Sequence, residues 1–418
     1  MTNKKILPCV LGLGYVGMPI FNILNKKFKT LGFDINKRRI IELKNKHDRN
    51  NEFSKKNLVL KNKSSFSSQE KEIKDCNFFI ICVPTPVFKN KKPDLKPLKK
   101  VSNIISKYIK LGDIVFYEST VYPGVTQYLT KNILEKKSKL KNNKDFWTGY
   151  SPERINPGDK NKTIKKINKI VAIKSKNKEV NYKIKNVYKN LTKKIFYTNS
   201  LEEAELSKVI ENVQRDINIA FMNEILQISE KLNINFYKVI NLASTKWNFL
   251  KFSPGLVGGH CLPVDPYYLY FAAKKKKLKA SFLLSGRNVN NNMEKFVLDK
   301  ISAEIKKIKV KIKKPKILIA GISYKAEVSD VRNSLPFAIY KKLKKDNSLN
   351  TIGYDPILDK FVANKFNIEQ NYKFKNKEID LIVILVNHKV LIKRFSNKKL
   401  YQNIKILDVF NFLKNEKN

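Results

Sequence analysis

Over the first half of the chain, short apolar runs alternate with polar or helix-patterned stretches. "KILPCVLGLG" (5–14), "TLGFDIN" (30–36), "NFFIICVP" (77–84) and "DIVFYEST" (113–120) read as strands, the last two apolar enough to be buried on both faces. The latter pair run into "PTP" and "TVYPG" turns, and ligands of open α/β sheets sit at such carboxyl ends. From Leu201 the pattern changes. "LEEAELSKVIENVQRDINIAFMNEILQISEKL" (201–232) has no glycine or proline and repeats apolar residues with helical period. Its apolar set, Leu206, Val209, Ile210, Val213 and Ile217, predicts a largely buried helix. A lysine-rich stretch, "KVKIKKPK", then leads into "ILIAGISYK" (317–325), "NTIGYDP" (350–356) and "DLIVILVNH" (380–388), the strands of a second α/β unit. There is no tandem repeat.

Composition changes this picture little. A chain of 418 residues predicts two or three domains. The net charge of +49 invites nucleic acid or a membrane surface as partner. Yet 77 of the 85 basic residues are lysines spread through every segment, and base reading favours arginine. The excess therefore reads as solvated bias, with no specific nucleic acid expected. The cysteines, Cys9, Cys76, Cys82 and Cys261, form no CxxC pair, so no metal site or disulfide framework is expected, and a reducing, cytoplasmic setting fits. The charge-free run "ILPCVLGLGYVGMPIFNIL" could pass for a signal or membrane segment. Its glycines at Gly12, Gly14 and Gly17 suit strand, turn and helix better, so no membrane insertion is expected.

"GLGYVG" is a GxGxxG set opening from a strand, with Asp34 closing the next strand. The glycines admit a pyrophosphate close to a helix N-terminus. Asp34 can accept from a ribose diol and repels a 2′-phosphate, which favours NAD over NADP. Lys208, Asn212 and Arg215 share one face of the long helix by their spacing. "GISYKAEVSDVRNS" supplies Lys325, Asp330, Arg332 and Ser334 behind a strand, a loop suited to phosphate. In "GLVGGHCLPVDP" (255–266), Gly258 and Gly259 clear space before His260 and Cys261, and Asp265 follows. A thiolate here can hold an aldehyde as a thiohemiacetal between two hydride transfers, with a thioester left for water to cleave.

Together, "GLGYVG", "GFDIN", "CVPTP", "ESTVYPG", "SPERINPG", "ELSKVIEN", "GGHCLPVDP" and "GISYKAEVSDVRNS" resemble, in order and from end to end, the nucleotide-sugar 6-dehydrogenases of the UDP-glucose/GDP-mannose dehydrogenase family. "ENVQRDINIAFMNE", "GLVGGHC" and "DPYYL" are most similar to the branch acting on UDP-N-acetylhexosamines, whose uronic acids supply surface-polysaccharide precursors. The resemblance implies an α/β protein with two Rossmann-like parallel-sheet domains joined by a central helical domain. Residues 1–199 would bind NAD, 200–305 would form the homodimer and carry the cysteine loop, and 306–418 would hold the UDP.

Residue by residue, the resemblance makes Cys261 the nucleophile. Lys208 and Asp265 flank the reacting carbon with Asn212, Glu153 serves thioester hydrolysis, and Thr120 helps position water. It places Gly12, Gly14, Tyr15, Val16, Gly17, Asp34, Arg39, Pro84, Thr85 and Thr120 at the cofactor. Glu153, Arg154, Lys208, Asn212, Arg215, Lys251, Gly258 and Lys325 are placed at the substrate. Arg332, grouped with the cofactor set, matches an arginine that serves either substrate or cofactor. Ser253 departs from the pattern, standing where a basic residue is expected; Lys251 or Lys246 is the nearest replacement. UDP-glucose is the alternative substrate. A two-electron dehydrogenase, which would leave Cys261 idle, and a nucleic-acid-binding protein with a non-catalytic Rossmann fold are the more distant ones.

Overall fold

The computed structural model describes residues 5–50, 53–155, 164–372, 378–397, 401 and 404–413, so positions 156–158 of "SPERINPG" lie outside the described residues. The chain divides into two compact units, residues 1–211 with 267–279, and residues 212–266 with 280–418.

The first unit is built on eight strands: β1 (Pro8–Leu11), β2 (Leu31–Phe33), β3 (Ser65–Ser67), β4 (Phe78–Ile81), β5 (Ile114–Tyr117), β6 (Trp147–Tyr150), β7 (Lys169–Ala172) and β8 (Ile195–Thr198). Their order in the sheet is β3-β2-β1-β4-β5-β6-β7-β8. The chain steps outward from β1 to β3 and then returns to the other side of β1, which puts the switch point between β1 and β4. The expectation of a parallel sheet holds from β1 to β6. It needs one correction, because β7 meets β6 antiparallel at Tyr150 and Ala172, and β8 follows β7 in parallel. β4 and β5 are buried at every position, and Phe116 stacks 5.8 Å from Phe78 while meeting the edge of Tyr188 at 5.0 Å. Truncating such a core ring to alanine costs about 3–5 kcal/mol.

The second unit holds β9 (Lys316–Ala320), β10 (Asn350–Tyr354), β11 (Ile368–Glu369), β12 (Leu381–Ile384) and β13 (Lys405–Asp408), all parallel, in the order β11-β10-β9-β12-β13. The switch point falls between β9 and β12 by the same logic. One face packs on the helices Ser281–Lys309 and Leu335–Lys344 through Met293, Val297, Ile301, Ile339 and Leu343.

The helix Leu201–Lys231 gives its first eleven residues to one unit and the rest to the other. Ser200 caps it, accepting from Glu203 N at 3.1 Å, and Asn233 ends it at φ 55°, the left-handed conformation that asparagine tolerates. The expectation of a mostly buried helix is only half right. Val209 and Val213 are buried, but Leu206, Ile210, Phe221, Ile228 and Leu232 are exposed. Their spacings of four, eleven, seven and four residues put them along one stripe. No helix among the described residues is long and apolar enough to cross a membrane.

Candidate active site

At the first switch point the glycines are fixed by geometry. Gly12 has φ 94°, and a side chain there would come within 2.8 Å of the Cys82 carbonyl oxygen. At Gly17 the added carbon would stand 1.8 Å from the Gly12 carbonyl oxygen, whereas at Gly14 it would meet nothing within 4 Å. Two glycines therefore close the turn, and the third leaves open space before the helix Gly17–Leu24. Asp34 secures this turn from the end of β2: its Oδ2 accepts from Leu13 N and its Oδ1 from Asn36 N, both at 2.9 Å. The carboxylate is half-buried, at the position where an acid accepts from a ribose diol in dinucleotide folds. These residues fit a dinucleotide.

Arg39 lies behind the turn. It is buried, donates from Nε to the Leu13 carbonyl at 2.9 Å, and pairs with Asp48 at 2.8 Å. Its direct work is thus on the turn. Tyr15 and Val16 are half-buried beside the glycines. Pro84 is exposed and Thr85 half-buried after β4, and the half-buried Thr120 follows Ser119, whose hydroxyl ties the β5 end to the Val83 carbonyl at 2.7 Å.

Glu153 sits deeper in the same unit. Its Oε1 accepts from Arg154 N at 2.6 Å and Ile155 N at 2.8 Å, and its Oε2 accepts from Lys169 at 2.9 Å. Lys169 also donates to Glu118, which accepts from the Tyr188 hydroxyl at 2.8 Å. Burial pushes the Glu118 carboxyl up to about 7; Lys169 opposes this and the charge of Glu153 adds to it. Sequence reasoning missed this cluster. Glu118 stood in the quoted "ESTVYPG" without drawing notice, and one lysine among 77 carries no signal. Arg154 is engaged by Glu211 and by the Asn168 carbonyl at 3.2 Å. On the long helix Lys208 is buried, Asn212 half-buried and Arg215 exposed.

In the second unit the cysteine loop is held at both ends. Asn223 clamps Gly255, donating to its carbonyl at 3.1 Å and accepting from its N–H at 2.8 Å. Asn223 is braced by Asn290, which bonds Asp216, the buried partner of Arg287. At the far end, Gly259 N donates to the Asn333 carbonyl at 3.3 Å, and Asn333 donates back to the Gly259 carbonyl at 3.1 Å. A side chain on Gly258 would lie 2.6 Å from the Asn333 carbonyl oxygen, which is why glycine stands there. Cys261 is exposed, while Cys9, Cys76 and Cys82 are buried. The Cys261 carbonyl accepts from Val264 N and Asp265 N, both at 2.9 Å, and this turn sets Asp265 at the head of the helix Asp265–Lys275. Asp265 is buried and accepts from Asn212 at 2.5 Å, so two residues 53 apart in sequence meet. His260 faces Asp330 at 3.4 Å and the edge of Tyr324. Lys246, Lys251 and Ser253 are exposed.

The second switch point repeats the first. Gly321 has φ 83° and would clash with Val386 at 2.7 Å if it carried a side chain. Asp355, ending β10, accepts from Ile322 N and Ser323 N, both at 2.8 Å. Here the acid is fully buried against His388 at 3.3 Å, and His388 accepts from Glu327 N at 3.0 Å. Ser323 holds the Lys325 carbonyl at 3.0 Å, with Lys325 half-buried. Arg332 pairs with Asp330 at 2.7 Å. Burial would raise the Asp330 carboxyl, but His260 and Arg332 hold it well below the carboxylate range.

A dinucleotide cradle on one mostly parallel sheet, a second glycine switch point carrying Lys325 and Arg332 on another and an exposed thiol on a clamped glycine loop are the parts of an NAD-dependent oxidoreductase. The chain belongs to the UDP-glucose/GDP-mannose dehydrogenase family, whose NAD binding domain matches residues 5–192, central domain residues 202–292 and UDP binding domain residues 318–415. It is 42% identical over 403 residues to the protein CapL of Staphylococcus aureus, covering 96% of this chain and 93% of that protein. It is 40% identical to the UDP-N-acetyl-D-glucosamine 6-dehydrogenase of Salmonella typhi, covering 91% and 89%. The solved structure of a UDP-ManNAc dehydrogenase from Pyrococcus horikoshii superposes with a TM-score of 0.83 at 28% identity, covering 97% and 96%. NAD is the cofactor, and the glycine cradle is where this chain's own residues fit it.

Proposed function

We propose that the protein oxidises C6 of a UDP-N-acetylhexosamine to the carboxylate. The balanced reaction is alcohol plus two NAD⁺ and water giving carboxylate, two NADH and three protons. Gly12, Gly14 and Gly17 would hold NAD⁺, which would supply the hydride acceptor for both oxidations. Cys261 adds to the C6 aldehyde and forms the thiohemiacetal, which becomes a thioester after the second oxidation. Water then adds to the thioester carbon, and the carbon–sulfur bond breaks to return the thiolate. Lys208 offsets the negative oxygen that develops at C6, and Asp265, aimed by Asn212, exchanges protons with it. Glu153 draws the proton from the attacking water, which Thr120 helps to place. Lys325, Lys251, Arg154, Arg215 and the space over Gly258 serve the nucleotide sugar, and Arg332 serves the cofactor side. Residues 1–199, 200–305 and 306–418 are the corresponding NAD, helical and UDP domains.

The observation that carries this reading is the exposed thiol of Cys261 on a doubly clamped glycine loop, four residues before a buried acid that Asn212 holds. The 40% identity to an enzyme named for UDP-N-acetyl-D-glucosamine favours an N-acetylated sugar over UDP-glucose. The exposed stripe from Leu206 to Leu232 supports a homodimer through the long helix. The product would feed surface-polysaccharide assembly from the cytoplasm. A panel of UDP-sugars tests the assignment: kcat/KM is expected to be highest for an N-acetylated sugar, and a preference for UDP-glucose would overturn it. Cys261→Ser is expected to abolish acid formation while leaving NAD affinity unchanged; wild-type acid production would refute the nucleophile.

A further inference from the structure

Neither the glycine cradle nor the thiol loop accounts for the three charges buried at the β5–β7 end of the first sheet. Lys169 opens β7 and is 1% exposed, and its ammonium lies between the carboxylates of Glu118 and Glu153. Glu118 is held in turn by the Tyr188 hydroxyl, from the helix Lys178–Leu191. Burying two acids and one base is expensive, and apolar side chains of similar volume often serve stability as well or better. What the cluster achieves is orientation. Glu153 Oε1 is fixed by two backbone N–H groups and Oε2 by the ammonium, so the carboxylate can neither rotate nor retract.

We propose that Lys169 is a positioning residue, which holds the Glu153 carboxylate in a fixed orientation for thioester hydrolysis, with Glu118 and Tyr188 holding the lysine in place. This rests on the role given to Glu153 above. Two carboxylates share one ammonium in this cluster. The Glu118 carboxyl is pushed up to about 7, because burial and the charge of Glu153 outweigh Lys169. The groups facing Glu118 are Lys169 from β7, Glu153 beyond β6, Tyr188 from its helix and the buried thiol of Cys82 beyond β4.

The test uses the full-length protein with NAD⁺ and UDP-N-acetylglucosamine, comparing Lys169→Met, Lys169→Arg, Glu118→Gln and Glu153→Gln. Lys169→Met is expected to release a burst of about two NADH per site and then turn over about 100-fold more slowly, the scale of a lost proton-transfer group. Intact-mass measurement should show Cys261 carrying the acyl group. Lys169→Arg should restore most turnover, and Glu118→Gln should lose the pH dependence of hydrolysis near neutrality. Turnover of Lys169→Met close to wild type, or loss of burst and turnover alike, overturns the proposal. If Lys169→Met does not fold, an unchanged pH profile in Glu118→Gln overturns it. Glu153→Gln hydrolysing at the wild-type rate overturns the reading of Glu153 itself, and Lys169's role with it. A stalled Glu153→Gln beside an unaffected Lys169→Met overturns only the role of Lys169.

Discussion

At the end of β1, Gly12 turns at φ 94° and Asp34 from the neighbouring strand accepts from Leu13 N; at the end of β9, Gly321 turns at φ 83° and Asp355 accepts from Ile322 N. The backbone device is the same, and the acid makes the difference. Asp34 is half-buried and its side chain braces a turn that faces open space at Gly14. Asp355 is fully buried, and His388 joins it to the loop that carries Lys325. One switch point leaves its carboxylate half-exposed at the turn; the other commits it to holding a cationic loop. A shared topology thus supports a dinucleotide site in one sheet and a site for a different phosphate ligand in the other.

The comparison breaks most visibly at the glycines. A side chain at either adds left-handed strain and a clash, together about 3 kcal/mol, which corresponds to about 100-fold in affinity. Gly12→Ala should lose NAD⁺ binding by that factor in a fluorescence titration with NADH, and retain UDP binding by calorimetry. Gly321→Ala should do the reverse. Equal loss of both ligands in either variant would show that the two switch points are not independent.

A smaller effect separates the acids. Asp34→Asn removes a charge-assisted acceptor and should weaken NAD⁺ about 10-fold, or roughly 1.4 kcal/mol. Asp355→Asn should leave NAD⁺ affinity unchanged and lower thermal stability by about 1–3 kcal/mol, the cost of disturbing a buried hydrogen-bonded acid. A weakened cofactor with unchanged stability in Asp355→Asn would contradict the structural role.

The smallest effect lies in pH. Burial pushes Glu118 and Glu205 up to about 7 in the first unit; Lys169 at Glu118, and the N–H groups of Gly124 and Thr126 at Glu205, only partly oppose it. A carboxyl raised on folding contributes stability below its unfolded value, near 4.5, and loses it as pH rises through 7. Asp355 has the opposite sign. Burial would raise it, but His388 and the N–H groups of Ile322 and Ser323 hold it below its ordinary value, so its contribution is lost only as the solution turns strongly acid. Hydrogen exchange resolved by segment should show β5 and β7 less protected at pH 8 than at pH 5, with β9 and β10 unchanged. Glu205→Gln should shrink the first difference, worth a few degrees in Tm. Equal pH responses in the two sheets would contradict the assignment.

Much of the fold was legible because its signals are local. Buried strands such as Phe78–Ile81 read as apolar runs, and the long helix shows its period from Leu201. Four features were hidden. β6 to β8 are short, and two of them carry exposed or polar residues, so the antiparallel junction had no pattern to announce it. The exposed stripe on the long helix has the same apolar letters as a buried one, and sequence period cannot tell a buried face from an exposed one. The Glu118–Lys169–Glu153 cluster gathers residues 16 to 51 positions apart in a chain saturated with lysine. The repeated switch point escaped notice because "GLGYVG" and "GISYK" share little beyond the glycine, while the backbone needs nothing more.

The central claim is that one thiol carries the sugar through two oxidations, and the ratio of NADH formed to UDP-sugar consumed tests it most directly. With purified protein, excess NAD⁺ and limiting UDP-N-acetylglucosamine, the account predicts about two NADH per sugar and the free carboxylate as product. One NADH per sugar with aldehyde accumulating would contradict it.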